Sequence, residues 1–212
     1  MMSDEIVFYT NPMSRGRIVR WMLEELGQPY RTELLDFGTT MKAPDYLAIN
    51  PMGKVPALRH GDVVVTEGSA ICAYLADMFP AAGLAPPSGD RARGDYYRWM
   101  FFAAGPLEAA VVNKAFGFEV PPERKRAVGY GSFQDVMAAL DATLAAQEYL
   151  VGDRFTAADL YLGSQLGWGM MFGTIEKRPT FERYWGQIST RPAAVRARAI
   201  DDALLPPKPA PA

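Results

Sequence analysis

Hydrophobic positions in the first eighty residues change period several times. Ile6-Val7-Phe8-Tyr9 is a short continuous apolar run, the signature of a strand buried on both faces. Ile18, Met22 and Leu26, flanked by Val19 and Leu23, then recur at helical spacing until Gly27 stops the pattern. Tyr30, Thr32 and Leu34 alternate with Arg31 and Glu33, which predicts a second strand, parallel to the first through a right-handed crossover. A short helix is expected over 45–49. Val55 to Leu58 and Val63 to Thr66 flank the Gly61-Asp62 turn and predict an antiparallel hairpin. A helix starting near Glu67 places Ile71, Leu75 and Met78 on one face, and Pro80 closes it. Residues 83–90, with two glycines, two prolines and a serine, cannot continue a helix and are expected to be a linker.

Beyond the linker almost every segment carries helical spacing. Helices are expected over 91–118, kinked by Pro106, and over 123–148, 156–172, 180–189 and 192–204. Thr156 and Asp159 have capping-box spacing at the start of the third of these. Residues 206–212 alternate proline with alanine and lysine and predict an unpacked polyproline-like tail. The fold class is therefore α/β plus all-α: an amino-terminal domain over 4–82 in the order βαβ-α-ββα, which is the thioredoxin-like order, then the linker 83–90 and a helical-bundle domain over 91–205.

Composition narrows the chemistry. Of 212 residues, 22 are Lys or Arg and 24 are Asp or Glu, spread without basic blocks, so nothing favours nucleic acid. No apolar run reaches the length of a membrane span, and Met1-Met2-Ser3-Asp4-Glu5 is acidic where a secretory signal is basic, so a cytoplasmic protein without membrane contact is expected. One cysteine, Cys72, and one histidine, His60, exclude a disulfide and leave too few ligands for a zinc cluster, so no metal is expected. Cys72, inside a helical pattern, reads as a buried small residue, and His60 as an exposed turn histidine. The segment Gly129-Tyr130-Gly131 follows no strand and lacks a third glycine, and Gly53-Lys54 lacks the following hydroxyl of a phosphate loop.

Three local features instead converge on a peptide-like ligand. In Asn50-Pro51-Met52-Gly53-Lys54-Val55-Pro56-Ala57-Leu58 a proline stands at a strand entry, and a cis Val55-Pro56 bond would present the Val55 backbone as an open edge. Glu67-Gly68-Ser69 lies at a helix start, where free N–H groups attract a carboxylate and Glu67 an amino group. Tyr9 to Arg17 link the first strand to the first helix and put a hydroxyl and a positive helix end where a thiolate would be stabilised. Ser14 equally suits a plain helix cap, and Arg15 and Arg17 are unusual in a first turn, where one of them could add positive potential or both could be solvated surface groups.

With these motifs in view, Asn50 to Leu58 and Glu67 to Asp77, together with Ser14 and an all-helical second domain, resemble a bacterial cytosolic glutathione transferase. The resemblance implies a dimeric enzyme with glutathione as co-substrate. It implies that Val55, followed by Pro56, pairs with the cysteinyl backbone, that Lys54 meets the glycyl carboxylate, and that Glu67 and position 68, here Gly68, hold the γ-glutamyl end, with Ser69 at the helix start placed to supply the hydroxyl that Gly68 lacks. Ser14 is the expected contact to the sulfur, with Asn11 and Tyr9 as alternates. The family commonly has Ser or Thr where this chain has Gly68. Tyr97, Phe101 and Met171 come from an aromatic and methionine set that either lines an apolar cleft between the domains for a hydrophobic electrophile or belongs to the helical core. Isomerase, dehalogenase and thiol-reductase variants share such a site, and a non-catalytic, protein-binding adaptor with this fold is the alternative.

Overall fold

A computed structural model describes residues 5–205. The expected polyproline-like tail, 206–212, lies outside the described residues, as do residues 1–4 with most of the acidic start. The chain divides into two compact units, one formed by the amino-terminal part through Phe79 together with the chain from Arg191 onward, the other by Pro80–Thr190.

In the first unit, strands β1 (Ile6–Thr10), β2 (Arg31–Leu34), β3 (Ala57–His60) and β4 (Val63–Thr66) form a sheet in the order β2-β1-β3-β4. β1 runs parallel to β2 and antiparallel to β3, which pairs antiparallel with β4. β1 is buried along its whole length, as its unbroken apolar run requires. Val7 and Tyr9 point to one face and pack with Met41, Tyr46 and Ala57. Phe8 points to the other, under Arg20 and Tyr30. Helix α1 (Gly16–Leu26) crosses between β1 and β2 and ends at Gly27, whose φ of 64° is the left-handed cap expected there. A short helix α2 (Pro44–Leu47) precedes the hairpin, and α3 (Gly68–Met78) follows it. This is the thioredoxin-like order. His60 departs from expectation: it closes β3, half-buried, with Nδ1 3.0 Å from the Tyr74 hydroxyl and its ring against Phe79. Cys72 is fully buried, and burial pushes its thiol far above the ordinary range.

The second unit holds α4 (Arg93–Phe102), α5 (Glu108–Ala115), α6 (Phe133–Ala146), α7 (Ala157–Phe172) and α8 (Pro179–Ile188). Between α4 and α5 the backbone widens into a π-helical turn over Ala103–Leu107, which absorbs the N–H that Pro106 lacks. The helix expected over 123–148 begins only at Phe133. Pro122–Ala127 is a 3₁₀ stretch, Gly131 adopts a φ of 69°, and Ser132 caps α6 by accepting the Asp135 N–H at 3.1 Å. Residues 83–90 are less loose than a free linker, since Leu84 is buried and its carbonyl accepts the Ala157 N–H at 2.8 Å. The capping box is present: Asp159, fully buried, accepts from the Thr156 N–H and hydroxyl, the Leu150 N–H and the Tyr184 hydroxyl at 2.7–2.9 Å. Gly167 lets α8 approach α7, because a Cβ there would sit 2.5 Å from the Trp185 ring.

The last helix, α9 (Pro192–Ala203), packs on α1 in the first unit and does not join the helical domain drawn over 91–205. Ion pairs hold it there. Arg191 grips Glu25 with two bonds of 2.7 and 2.8 Å, Arg196 reaches Glu24, and Arg20 and Arg17 reach Asp201 and Asp202. Among the described residues no helix is long and apolar enough to cross a membrane.

Candidate active site

The register of the sheet assembles the site. Tyr9 pairs with Ala57, and Ala57 pairs with Thr66. Three connections therefore leave the same end of the sheet: residues 11–15 after β1, residues 54–56 before β3, and residues 67–69 after β4. Adjacent strands lie about 4.8 Å apart, so the three segments fit within the span of a tripeptide. α1 and α3 both begin at that end, bringing two positive dipole ends to one place; at α1 the Gly16, Arg17 and Ile18 N–H groups are already taken by Ser14 Oγ, the Ser14 carbonyl and the Arg15 carbonyl.

The first connection is tightly specified. Asn11 is buried, donates from Nδ2 to the Leu35 carbonyl at 2.8 Å and accepts the Met13 N–H on Oδ1 at 2.9 Å. Its own carbonyl accepts both the Ser14 N–H at 3.0 Å and the Ser14 hydroxyl at 2.7 Å. Ser14 Oγ in turn accepts the Gly16 N–H at 3.0 Å. The hydroxyl, half-buried, thus sits on the first turn of α1. Gly16 has to be glycine, because a Cβ there would lie 1.9 Å from Thr10 Oγ1, a buried hydroxyl without a hydrogen-bond partner. Of the two alternates to Ser14, Asn11 has both ends of its amide engaged in holding the turn. The Tyr9 ring belongs to the core cluster, 5.7 Å from Tyr46.

The second connection carries the cis Val55–Pro56 peptide. The ladders of β3 begin at Ala57, so Val55 stands just beyond the paired register, half-buried. Lys54 is exposed, and its carbonyl accepts from the Tyr46 hydroxyl at 2.5 Å and from Asn50 Nδ2 at 2.8 Å. Burial pushes the Tyr46 hydroxyl up to about 12, so it remains a donor across the physiological range. Lys42 Nζ holds the Met52 and Gly53 carbonyls at 3.0 and 2.9 Å. Tyr46, Asn50 and Lys42 are supports that sequence reading did not single out. Their only signal is an Asn and a Tyr close upstream of the Val55-Pro56 dipeptide.

The third connection is marked by its backbone. Glu67 has a φ of 67°, and it alone among the described non-glycine residues has a positive φ. Such a conformation costs about 1–3 kcal/mol and concentrates at functional sites. Glu67 is exposed immediately before α3, and Gly68 and Ser69, both half-buried, form the first positions of the helix. His60 is not among these residues: its pairing with Ile6 puts it three residues along β3 from Ala57, about 10 Å from this end of the sheet.

In the second unit, Tyr97 and Phe101 stand one turn apart on α4, 45% and 72% exposed, and Met171 on α7 is 66% exposed. Tyr96, Trp99, Met100 and Met170, from the same aromatic and methionine set, are core residues.

Comparison with known proteins agrees with this geometry. Residues 13–78 match the family model for the glutathione S-transferase N-terminal domain, and residues 112–192 match that for the C-terminal domain. The glutathione S-transferase GstB of Escherichia coli strain K12 is 34% identical over 181 residues, covering 81% of this chain and 86% of that protein. A crystal structure of a glutathione transferase from Methylococcus capsulatus superposes with a TM-score of 0.78 at 31% identity, covering 93% of this chain and 99% of the other. A sphingomonad glutathione S-transferase complexed with glutathione gives a TM-score of 0.76 at 31% identity, covering 92% of this chain and 98% of the other. The chain belongs to the glutathione S-transferase family and is an enzyme of the bacterial type.

Proposed function

We propose that this protein binds glutathione at the shared end of β1, β3 and β4 and ionises its thiol for attack on an apolar electrophile. The observation that carries the reading is the convergence of two helix N-termini, an unpaired strand entry and the Ser14 hydroxyl on one sheet end. A tripeptide with two carboxylates, an amino group and a central thiol matches that set of groups. Val55 then pairs with the cysteinyl backbone, its geometry fixed by Pro56, and Lys54 meets the glycyl carboxylate. Glu67 holds the free amino group of the γ-glutamyl residue, while the Gly68 N–H and the Ser69 hydroxyl take its carboxylate.

Ser14 is the sulfur contact. To donate to sulfur its hydroxyl turns away from the Asn11 carbonyl, giving up a neutral bond worth about 1 kcal/mol for one to a charged acceptor worth about 1.5–3 kcal/mol. The exchange is favourable, and the Gly16 N–H still fixes the oxygen. The serine donates and does not attack, because the one histidine lies at the other end of the strand. The thiol proton leaves to water, and the thiolate sulfur forms the bond to the electrophilic carbon while that carbon's bond to a leaving group, or the π bond of an acceptor alkene, breaks and its electron pair departs with the leaving group or moves to the neighbouring atom, which then takes a proton from water. Tyr97, Phe101 and Met171 supply apolar surface for that co-substrate. The protein works as a cytoplasmic homodimer without a metal.

A second reading, a protein-binding adaptor that has lost catalysis, draws on Gly68, which removes the hydroxyl common at that position in the family. Retention on immobilised glutathione followed by conjugation of a generic electrophile separates the two. Retention with turnover that Ser14→Ala lowers supports the enzyme, whereas no turnover in the parent chain would leave the adaptor.

A further inference from the structure

Arg17 stands in the first turn of α1, where the helix dipole opposes a cation by about 0.3–1 kcal/mol. Its side chain folds back onto the loop before the helix. Nε donates to the Pro12 carbonyl at 2.5 Å, and Nη1 pairs with Asp202 Oδ1 of α9 at 2.8 Å. Pro12 occupies the middle of the turn whose ends are Asn11 and Ser14; the other bonds described for that turn join Asn11 to Leu35, Met13 and Ser14, and bring the Gly16 and Arg17 N–H groups to the Ser14 hydroxyl oxygen and carbonyl, so the Arg17 guanidinium supplies the side-chain bond from α1. Arg17 ties the turn to α9, and α9 is tied along the rest of α1 by Asp201, Arg196 and Arg191.

From this geometry we infer that Arg17, held by Asp202, is a positioning residue that fixes the Asn11–Ser14 turn and with it the direction of the Ser14 hydroxyl. The inference rests on the glutathione reading for its catalytic consequence and not for its mechanical one. Arg17 touches the turn and not the sulfur. Its charge is compensated by Asp202, with the Arg20–Asp201 pair beside it. A guanidinium is suited to this task, since its planar fork reaches two separated acceptors, one on the turn and one on α9, from different nitrogens at fixed angles, whereas lysine has a single nitrogen that would have to lie within reach of both.

Position and charge separate in three variants. Arg17→Lys keeps the charge and loses the fork, Asp202→Asn removes the paired negative charge and weakens the hold on Nη1 to a neutral hydrogen bond, and Arg17→Ala removes both charge and fork. Amide hydrogen exchange of the peptide spanning 11–17, measured without ligand, is expected to quicken in all three. With glutathione, kcat is expected to fall about tenfold in Arg17→Lys and Asp202→Asn while KM for glutathione stays within about twofold. The absorbance-detected pKa of the bound thiol is expected to rise in both. A fall of that pKa in Asp202→Asn, with Arg17→Lys matching the parent, would overturn positioning in favour of a plain charge effect. Unchanged exchange in all three would overturn the tie itself. If the parent chain does not ionise glutathione, the glutathione reading fails, and the exchange measurement still decides whether Arg17 holds the turn.

Discussion

The Ser14 oxygen accepts the Gly16 N–H at the start of α1, and its hydrogen, held by the Asn11 carbonyl, is the one the proposed function turns toward a sulfur. A glutathione thiol with a cysteine-like pKa of about 8.5 is only about 3% ionised at pH 7, and lowering it by about two units makes it about three-quarters thiolate. Ser14→Ala should therefore leave glutathione affinity within about twofold and cut conjugation at pH 7 by about tenfold or more, with the pH profile moved upward. Stopped-flow rates across pH check this, and a profile that instead moves in Asn11→Ala or Tyr9→Phe would transfer the role. Gly68 offers the reverse experiment. Gly68→Ser adds a hydroxyl at the first position of α3 and should tighten glutathione by up to about tenfold in calorimetry; weaker binding would place the γ-glutamyl carboxylate elsewhere. Gly16→Ala should destabilise the protein, since its Cβ would overlap Thr10 Oγ1. The candidate ligand set was legible because Val55-Pro56 and Glu67-Gly68-Ser69 are consecutive residues with local chemistry. The supports were not, because Tyr46, Asn50 and Lys42 act through contacts on a backbone carbonyl that no local pattern encodes.

Elements follow the same division between local and distant causes. The strands, α1 and α3 were readable from period and from their stop signals, Gly27 and Pro80. The expected helix over 123–148 ran too far forward because Glu123-Arg124-Lys125-Arg126 has helical propensity, while Gly129 and Gly131 break the chain before Ser132 restarts it. The destination of α9 was illegible, since Asp201 and Asp202 resemble any surface carboxylates until Arg20 and Arg17 of α1 stand opposite them. Truncation after Thr190 would uncover the α1 face that buries Arg20, and it should abolish the cooperative melting transition of the first unit. In α7, Asp159→Ala would leave the Leu150 and Thr156 N–H groups and the Tyr184 hydroxyl unpaired and should lower stability by about 3 kcal/mol in denaturant unfolding. Burial raises the Asp159 carboxyl above the ordinary carboxylate range despite those donors. The folded chain therefore holds this proton more tightly than the unfolded chain, and the residue's contribution to stability declines as pH rises from the ordinary range to the folded value. A stability profile that climbs across that acidic window, with the climb due to Asp159, would contradict the direction.

At the scale of the whole molecule, the chain divides into two units, one carrying the sheet end proposed for glutathione and the other exposing Tyr97, Phe101 and Met171. The proposed homodimer is checked by sedimentation at micromolar concentration, where a purely monomeric species would count against it. The central claim is that this protein binds glutathione and ionises it. Its most direct measurement is a titration of the ultraviolet absorbance of the glutathione thiolate, with the parent protein and with Ser14→Ala. The account predicts an apparent thiol pKa near 6.5 on the parent protein, about two units below the free value, and a return most of the way toward 8.5 in Ser14→Ala. A thiol that titrates on the parent protein as it does in free solution would contradict the account.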